Sequence, residues 1–207
     1  MRKLTLLLAF SLTAAFAADP KVAITSFVVE GQDRTVQVRN DAETPVTAFL
    51  VGASGTEFVS TDMLLGARDG RLLKPGELAE VKVPGVTDPQ PRVLAAIFDD
   101  GTTEGDAVSV SRLITARREV YNQLSFALSL LQNENVNRLP ASAVAAWFRQ
   151  WRERGLAADP TRQMPVSTAA EMYLERAGNE TATRPAHELI EVFEELSAKL
   201  AASQPAL

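Results

Sequence analysis

The sequence predicts an α+β fold: an N-terminal antiparallel β-sandwich of the immunoglobulin type, followed by a C-terminal helical region of three to four helices. Two observations carry this. Before residue 106, short runs rich in β-branched and aromatic residues alternate with Gly, Pro, Asn and Asp clusters, the mark of several short strands joined by turns. After it, apolar residues recur at three-and-four spacing almost to the C-terminus, the mark of amphipathic helices. The stretch Phe98-Asp99-Asp100-Gly101-Thr102-Thr103-Glu104-Gly105-Asp106 marks the change of period.

Residues 1–17 read as a signal peptide. Arg2 and Lys3 precede an apolar run from Leu4 to Phe16, and Ala15-Phe16-Ala17 gives an A-x-A cleavage site before Ala18. The run is too short to span a membrane, so no transmembrane anchor is expected. No Cys follows it for lipid attachment, and the chain has none at all. An exported fold of this size must then rest on its core, without disulfides, thiolate metal sites or Cys nucleophiles. A single His rules out multi-His metal sites. The net charge of −5 provides no basic face for nucleic acid.

The sandwich is expected over residues 18–106. Lys21–Glu30 is a strand rich in β-formers, and Gly31-Gln32-Asp33 a turn. Thr35–Asn40 alternates, with Val36 and Val38 on one face. Val46–Ala53 is a third strand, more continuously apolar than the first two, and is read as central. Glu57–Ser60 is a short strand and Leu64–Gly70 a loop. Lys74-Pro75-Gly76-Glu77 has Pro and Gly at the second and third positions of a type II turn. Leu78–Val83 alternates again; Pro84–Pro91, with three prolines, is excluded as a central strand. Arg92–Asp99 is the most apolar strand of all. Six or seven short strands separated by turn signals suggest an antiparallel sandwich of the immunoglobulin-like type; a small barrel and an open sheet backed by helices are the alternatives, and periodicity does not fix the topology.

The helical region is expected over residues 107–207. A long helix runs from Ala107 to Gln132 on a stripe of Val110, Ile114, Arg117, Tyr121, Leu124, Leu128 and Leu131, widened by Leu113, Val120 and Ala127. After the polar break Asn133–Asn137, Pro140 falls in the first turn of a second helix that ends at Arg154. Gly155 is read there as a left-handed cap with Leu156 packing behind it. Thr168-Ala169-Ala170-Glu171 fits a capping box for a third helix, and Pro185 opens a fourth. No linker separates the halves, so the first part of the long helix is expected to pack on the sandwich and its second part on the later helices.

Val38-Arg39-Asn40-Asp41 with Thr44-Pro45-Val46, then Leu73-Lys74-Pro75-Gly76-Glu77, and finally the Phe98–Asp106 segment resemble a group of uncharacterised exported bacterial proteins that open with an immunoglobulin-like, FxLYD-like sandwich. The resemblance covers roughly residues 21–106. It implies a fold and a compartment, periplasmic or secreted, and brings no catalytic residues or cofactor.

Four acids, Asp99, Asp100, Glu104 and Asp106, form the densest local charge and are the candidates for a Ca²⁺ site, although their spacing is not that of an EF-hand. The competing reading gives each a structural job: Asp100-Gly101 as a two-residue type I′ turn, Gly105 as a bend and Asp106 as the N-cap of the long helix. No metal or other cofactor is assigned. Trp147 and Trp151 are i, i+4 neighbours with Arg152 beside them. Buried, they anchor the second helix to the first, which is the preferred reading; exposed, they make an interaction surface. His187 shares a helix face with Glu191, but no G-x-S-x-G elbow supplies a triad. The acids of Glu188–Glu195 read as a solvated helix face.

The function expected from this is an exported, non-enzymatic binding or interaction protein with a protein partner. The alternatives are a carboxylate-dependent hydrolase of envelope polysaccharide and a Ca²⁺-dependent adhesion module.

Overall fold

The computed structural model describes residues 20–30, 33–53, 56–66, 72–83, 91–177 and 184–203. The expected signal peptide lies outside the described residues, as do the Gly31-Gln32 turn and most of the Pro84–Pro91 segment.

Among the described residues seven strands come first: β1 Val22–Glu30, β2 Asp33–Asn40, β3 Val46–Ala53, β4 Thr56–Asp62, β5 Leu78–Lys82, β6 Arg92–Phe98 and β7 Thr103–Gly105. They form two antiparallel sheets, ordered β1-β2-β5 and β4-β3-β6-β7. The first, second and fifth strands thus share one sheet and the third, sixth and seventh the other. This is the division of an immunoglobulin-type sandwich, with β4 extending the second sheet beyond β3.

Strand periodicity explains how the layers stack. Val36 and Val38 of β2 and Val81 of β5 meet Phe49 and Val51 of β3 and Ala96 of β6 between the sheets. The residues that alternate with these, Ala48, Leu50, Ala95 and Ile97, point out of the other face of the second sheet. Those positions are apolar because that face is covered too. Leu113 closes over them, with Val110 and Ile114 packed alongside. All eight residues of β3 are buried, which is why the run Val46–Ala53 has no polar side.

The covering element is the second of the six helices among the described residues: α1 Met63–Gly66, α2 Ala107–Leu131, α3 Glu134–Asn137, α4 Ala141–Ala158, α5 Pro165–Ala177 and α6 Arg184–Ala202. At 25 residues, α2 is about 37 Å long. Its first half lies on the sandwich. Its second half brings Leu124, Ala127 and Leu131 into a separate core with Val144 and Phe148 of α4, Ala170 and Leu174 of α5, and Leu189, Phe193 and Leu200 of α6. The buried stripe of α2 runs through Leu113, Arg117, Val120, Leu124, Ala127 and Leu131. Val110, Ile114, Tyr121 and Leu128 are only half-buried along its flank, so the helix is rotated relative to the stripe expected from sequence.

Four local expectations are corrected. The Leu64–Gly70 segment opens as helix α1, because Asp62 Oδ1 accepts the Leu64 N–H at 3.0 Å while Met63 and Leu64 are buried in different cores. Pro140 is the N-cap of α4 rather than a first-turn residue. Gly155 does not end that helix, which continues to Ala158. A Cβ at Gly155 would sit 3.1 Å from Met164 Sδ, so its small size serves close packing. The third long helix begins at Pro165, and Thr168 lies inside it, donating its hydroxyl to Met164 O at 3.1 Å instead of capping.

Candidate functional site

The Phe98–Asp106 segment divides its acids among separate tasks. Phe98 N donates to Thr102 O at 2.9 Å and Gly101 N to Phe98 O at 3.1 Å, leaving three residues between the paired ends. The expected two-residue type I′ turn is therefore a three-residue turn, with the positive φ (+79°) falling on Gly101. Asp100 selects this form. Its Oδ1 accepts the Thr102 hydroxyl at 2.6 Å and the Thr102 N–H at 3.0 Å. These bonds, the hydroxyl first, hold its carboxyl below the ordinary value of 3.8. Asp106 is the N-cap of α2, accepting the N–H groups of Val108 and Ser109 at 3.0 and 3.1 Å. Contacts from the Ser109 side chain, then from these N–H groups, lower its pKa in the same way. Gly105, at φ +111°, leaves no room for a side chain: a Cβ would come within 2.1 Å of Leu94 O. The bend between β7 and α2 thus requires glycine.

Glu104 accepts the Lys21 N–H at 2.9 Å and ties the start of β1 to β7; its other oxygen, Oε2, is buried without a hydrogen bond. Asp99 lines a separate small cavity together with Lys199 and Ser203 at the end of α6. The four acids therefore do not converge. Among the described residues, no group of three or more His, Asp or Glu side chains is placed to hold a metal ion.

A cleft of about 670 Å³ separates Asp100–Glu104 from the β2–β3 loop, with Lys21, Asp41 and Glu43 on its walls. Asn40, fully buried, builds the loop. Its Nδ2 donates to Thr44 O at 3.0 Å and Leu73 O at 2.9 Å, and its Oδ1 accepts the Ala42 N–H at 2.9 Å. Its own carbonyl accepts the Gly76 N–H at 2.7 Å. The two loop motifs read separately in the sequence are thus one junction with Asn40 at its centre. Gly76, at φ +77°, sits third in a turn closed by Glu77 N donating to Lys74 O at 3.0 Å. On the cleft wall, Asp41 is paired with Arg39 at 2.6 Å.

The chain matches no family model, no curated protein and no solved structure. The likeness to FxLYD-type domains therefore rests on the loop residues alone.

Trp147 and Trp151 are half-buried, packed against the helical core but not inside it. Phe126 of α2 lies over them, its ring centre 4.9 Å from that of Trp151 and 6.2 Å from that of Trp147. Phe148, fully buried, backs the group edge-on to Trp147 at 5.5 Å. Phe126 is 47% exposed, so the rings form a platform that opens to solvent. Arg152 is held at 3.1 Å from Glu171, which also lies 3.5 Å from Arg149. Glu175 pairs with Arg149 as well. These ion pairs fasten α4 to α5 beside the platform. His187 stands exposed at 71%, with Glu191 3.4 Å away and equally exposed, on the outer face of α6.

The residue that sequence reasoning passed over is Arg117. It belongs to the stripe expected for α2 and is only 1% exposed there. Its Nε donates to Asp62 Oδ2 at 2.6 Å and its Nη2 to Asp62 Oδ1 at 3.2 Å and Thr47 Oγ1 at 2.9 Å. Nη1 reaches Ser203 Oγ at 3.3 Å. Thr47 in turn donates to Ile97 O at 3.0 Å. One guanidinium thus joins β3, β4, α2 and the end of α6. A strong base at a core position of an amphipathic helix was the available signal, because such a group is buried only when paired.

Proposed function

We propose that the mature chain is an exported, non-enzymatic module that binds a protein partner through the Phe126–Trp147–Trp151 platform. The supporting observation is Phe126: a large apolar side chain left half in solvent on top of two partly exposed indoles. Aromatic residues flanked by arginine are the composition enriched at protein–protein interfaces and at their hot spots. The rings come from α2 and α4, and Arg149 and Arg152 of α4 are tied to Glu171 of α5 beside them. The export signal remains the sequence expectation of residues 1–17, and no helix among the described residues is long and apolar enough to cross a membrane.

The hydrolase alternative draws less support. A general acid needs a raised pKa, whereas among the described residues the carboxylates with a shifted acidity, Asp100, Asp106, Glu119, Asp159 and Glu195, are shifted down.

The test is site-specific photo-crosslinking in the producing cell, with p-benzoylphenylalanine at Phe126 and, for comparison, at Val192, an exposed position on α6. The platform reading expects a discrete heavier adduct at 126, of one protein mass, and none at 192. No adduct at 126, or the same adducts at both positions, would overturn it.

A further inference from the structure

The second sheet ends at β7, and among the described residues no strand pairs with the outer edge of β7. The ladder to β6 fixes which backbone groups face outward. Phe98 N donates to Thr102 O, and Asp106 N donates to Leu94 O. Residues 102, 104 and 106 therefore spend their backbone groups on β6, and the register pairs Glu104 with Ala96. A trans peptide sends its N–H and C=O in opposite directions. The N–H and C=O groups of Thr103 and Gly105 must then point away from the sheet. Among the described residues, no hydrogen bond reaches them. Two such residues, i and i+2, present the donor and acceptor set that an added strand uses.

Beside this edge a groove of about 440 Å³ runs between β7 and the first half of α2. Val110 and Ile114 supply an apolar wall, Ser111 a hydroxyl, and Arg118 the single charge among the lining residues. Arg118 is exposed and has no ion pair among the described residues. The groove thus offers backbone pairing on one side, an apolar strip on the other and one unneutralised cation.

We infer that the free edge of β7 docks an extended peptide segment that carries a carboxylate, adding it as a fifth strand to the β4-β3-β6-β7 sheet. Backbone bonds to Thr103 and Gly105 supply register, Val110 and Ile114 take an apolar side chain of the segment, and Arg118 takes its carboxylate. This site lies beyond the platform reading. Ile114 and Phe126 are 12 residues apart on α2, about 18 Å along the helix, so the two surfaces are separate.

The experiment pans a phage-displayed library of random dodecapeptides against the mature protein, with a Thr103→Pro variant panned in parallel. Proline at 103 removes an N–H that points out of the sheet and leaves the β6–β7 ladder whole, as edge prolines do. Its fold is checked by circular dichroism. Arg118→Glu, on the helix surface, is the second variant and does not depend on how the strand tolerates proline. The expected result is enrichment of peptides with alternating apolar residues and an Asp or Glu. A synthetic copy of the leading peptide should then bind, by fluorescence anisotropy, at least about tenfold more weakly to each variant than to the unaltered protein. Failure to enrich any peptide over the Thr103→Pro background, or equal binding to the unaltered protein and both variants, would overturn the inference. Crosslinking at Phe126 reports on the helical face alone, so either surface can fail without the other.

Discussion

Replacing Arg117 by methionine keeps the aliphatic stem in place and removes the guanidinium. Asp62 then loses both of its bonds to that group, at 2.6 and 3.2 Å, while its side chain stays only 12% exposed. The acceptor of Thr47 and the end of α6 at Ser203 lose their donor too. Breaking a buried pair by deleting one partner costs about 3–5 kcal/mol, because the remaining charge is left unpaired. For a chain of this size, that corresponds to a Tm lower by about 6–20 °C. The cost should fall when the orphan charge is removed as well. Asp62→Asn keeps an oxygen to accept the Leu64 N–H at the start of α1 and eliminates the charge. The Arg117→Met/Asp62→Asn double variant should therefore be more stable than Arg117→Met alone, with a coupling energy of at least about 1.5 kcal/mol in a double-mutant cycle measured by guanidinium unfolding. A single-variant cost under about 1 kcal/mol, or additive effects of the two changes, would refute the claim that this pair is a buried joint.

Gly105→Ala should cost more than about 2 kcal/mol in denaturant unfolding, since φ +111° and the 2.1 Å approach to Leu94 O leave no place for the methyl group; a neutral substitution would contradict the bend. Asn40→Ala strands Thr44 O, Leu73 O and the Ala42 N–H around a fully buried site. It should cost about 2–4 kcal/mol and speed hydrogen exchange in both the β2–β3 loop and the Leu73–Glu77 turn; exchange that quickens in one loop only would break the single-junction account. Stability should fall in acid. The carboxyl of Glu119, bonded first by Arg162 and then by Gln123, is held below its ordinary 4.5, and Asp100, Asp106 and Asp159 below 3.8. The unfolded chain therefore takes up protons before the folded one. The stability these groups contribute is present above pH 4.5 and is lost as pH falls through and below 3.8. A Tm that holds or rises between about pH 5 and pH 3 would contradict this sign.

Some of this architecture was legible because one local signal decided it. β3 spans Val46–Ala53 in both readings, since a run broken only by Thr47 has no polar face and suits a strand covered on both sides. Asp106 as N-cap was legible from its place between a bend glycine and the first helical period. Other features depend on distant partners. Arg117 finds Asp62, Thr47 and Ser203 at separations of 55, 70 and 86 residues, which periodicity cannot encode. Gly155 looked like a helix stop because composition does not reveal Met164 lying against it. The turn at Asp99–Gly101 was misjudged because the bond from Thr102 to Asp100 outweighed the usual Asp-Gly preference. For the platform, Trp147 and Trp151 were visible as a pair, but Phe126, which lies over them from another helix, was not.

If α2 and Arg117 bind the sandwich and the helical bundle into one cooperative body, the two halves unfold together. Both tryptophans lie in α4, so their fluorescence follows the helical core alone. Hydrogen exchange of the β3 amides follows the sandwich. Measured together across a guanidinium titration, the two signals should share one midpoint in the unaltered protein and separate in Arg117→Met. β3 amides that stay protected after the fluorescence transition of the unaltered protein is complete would contradict the claim.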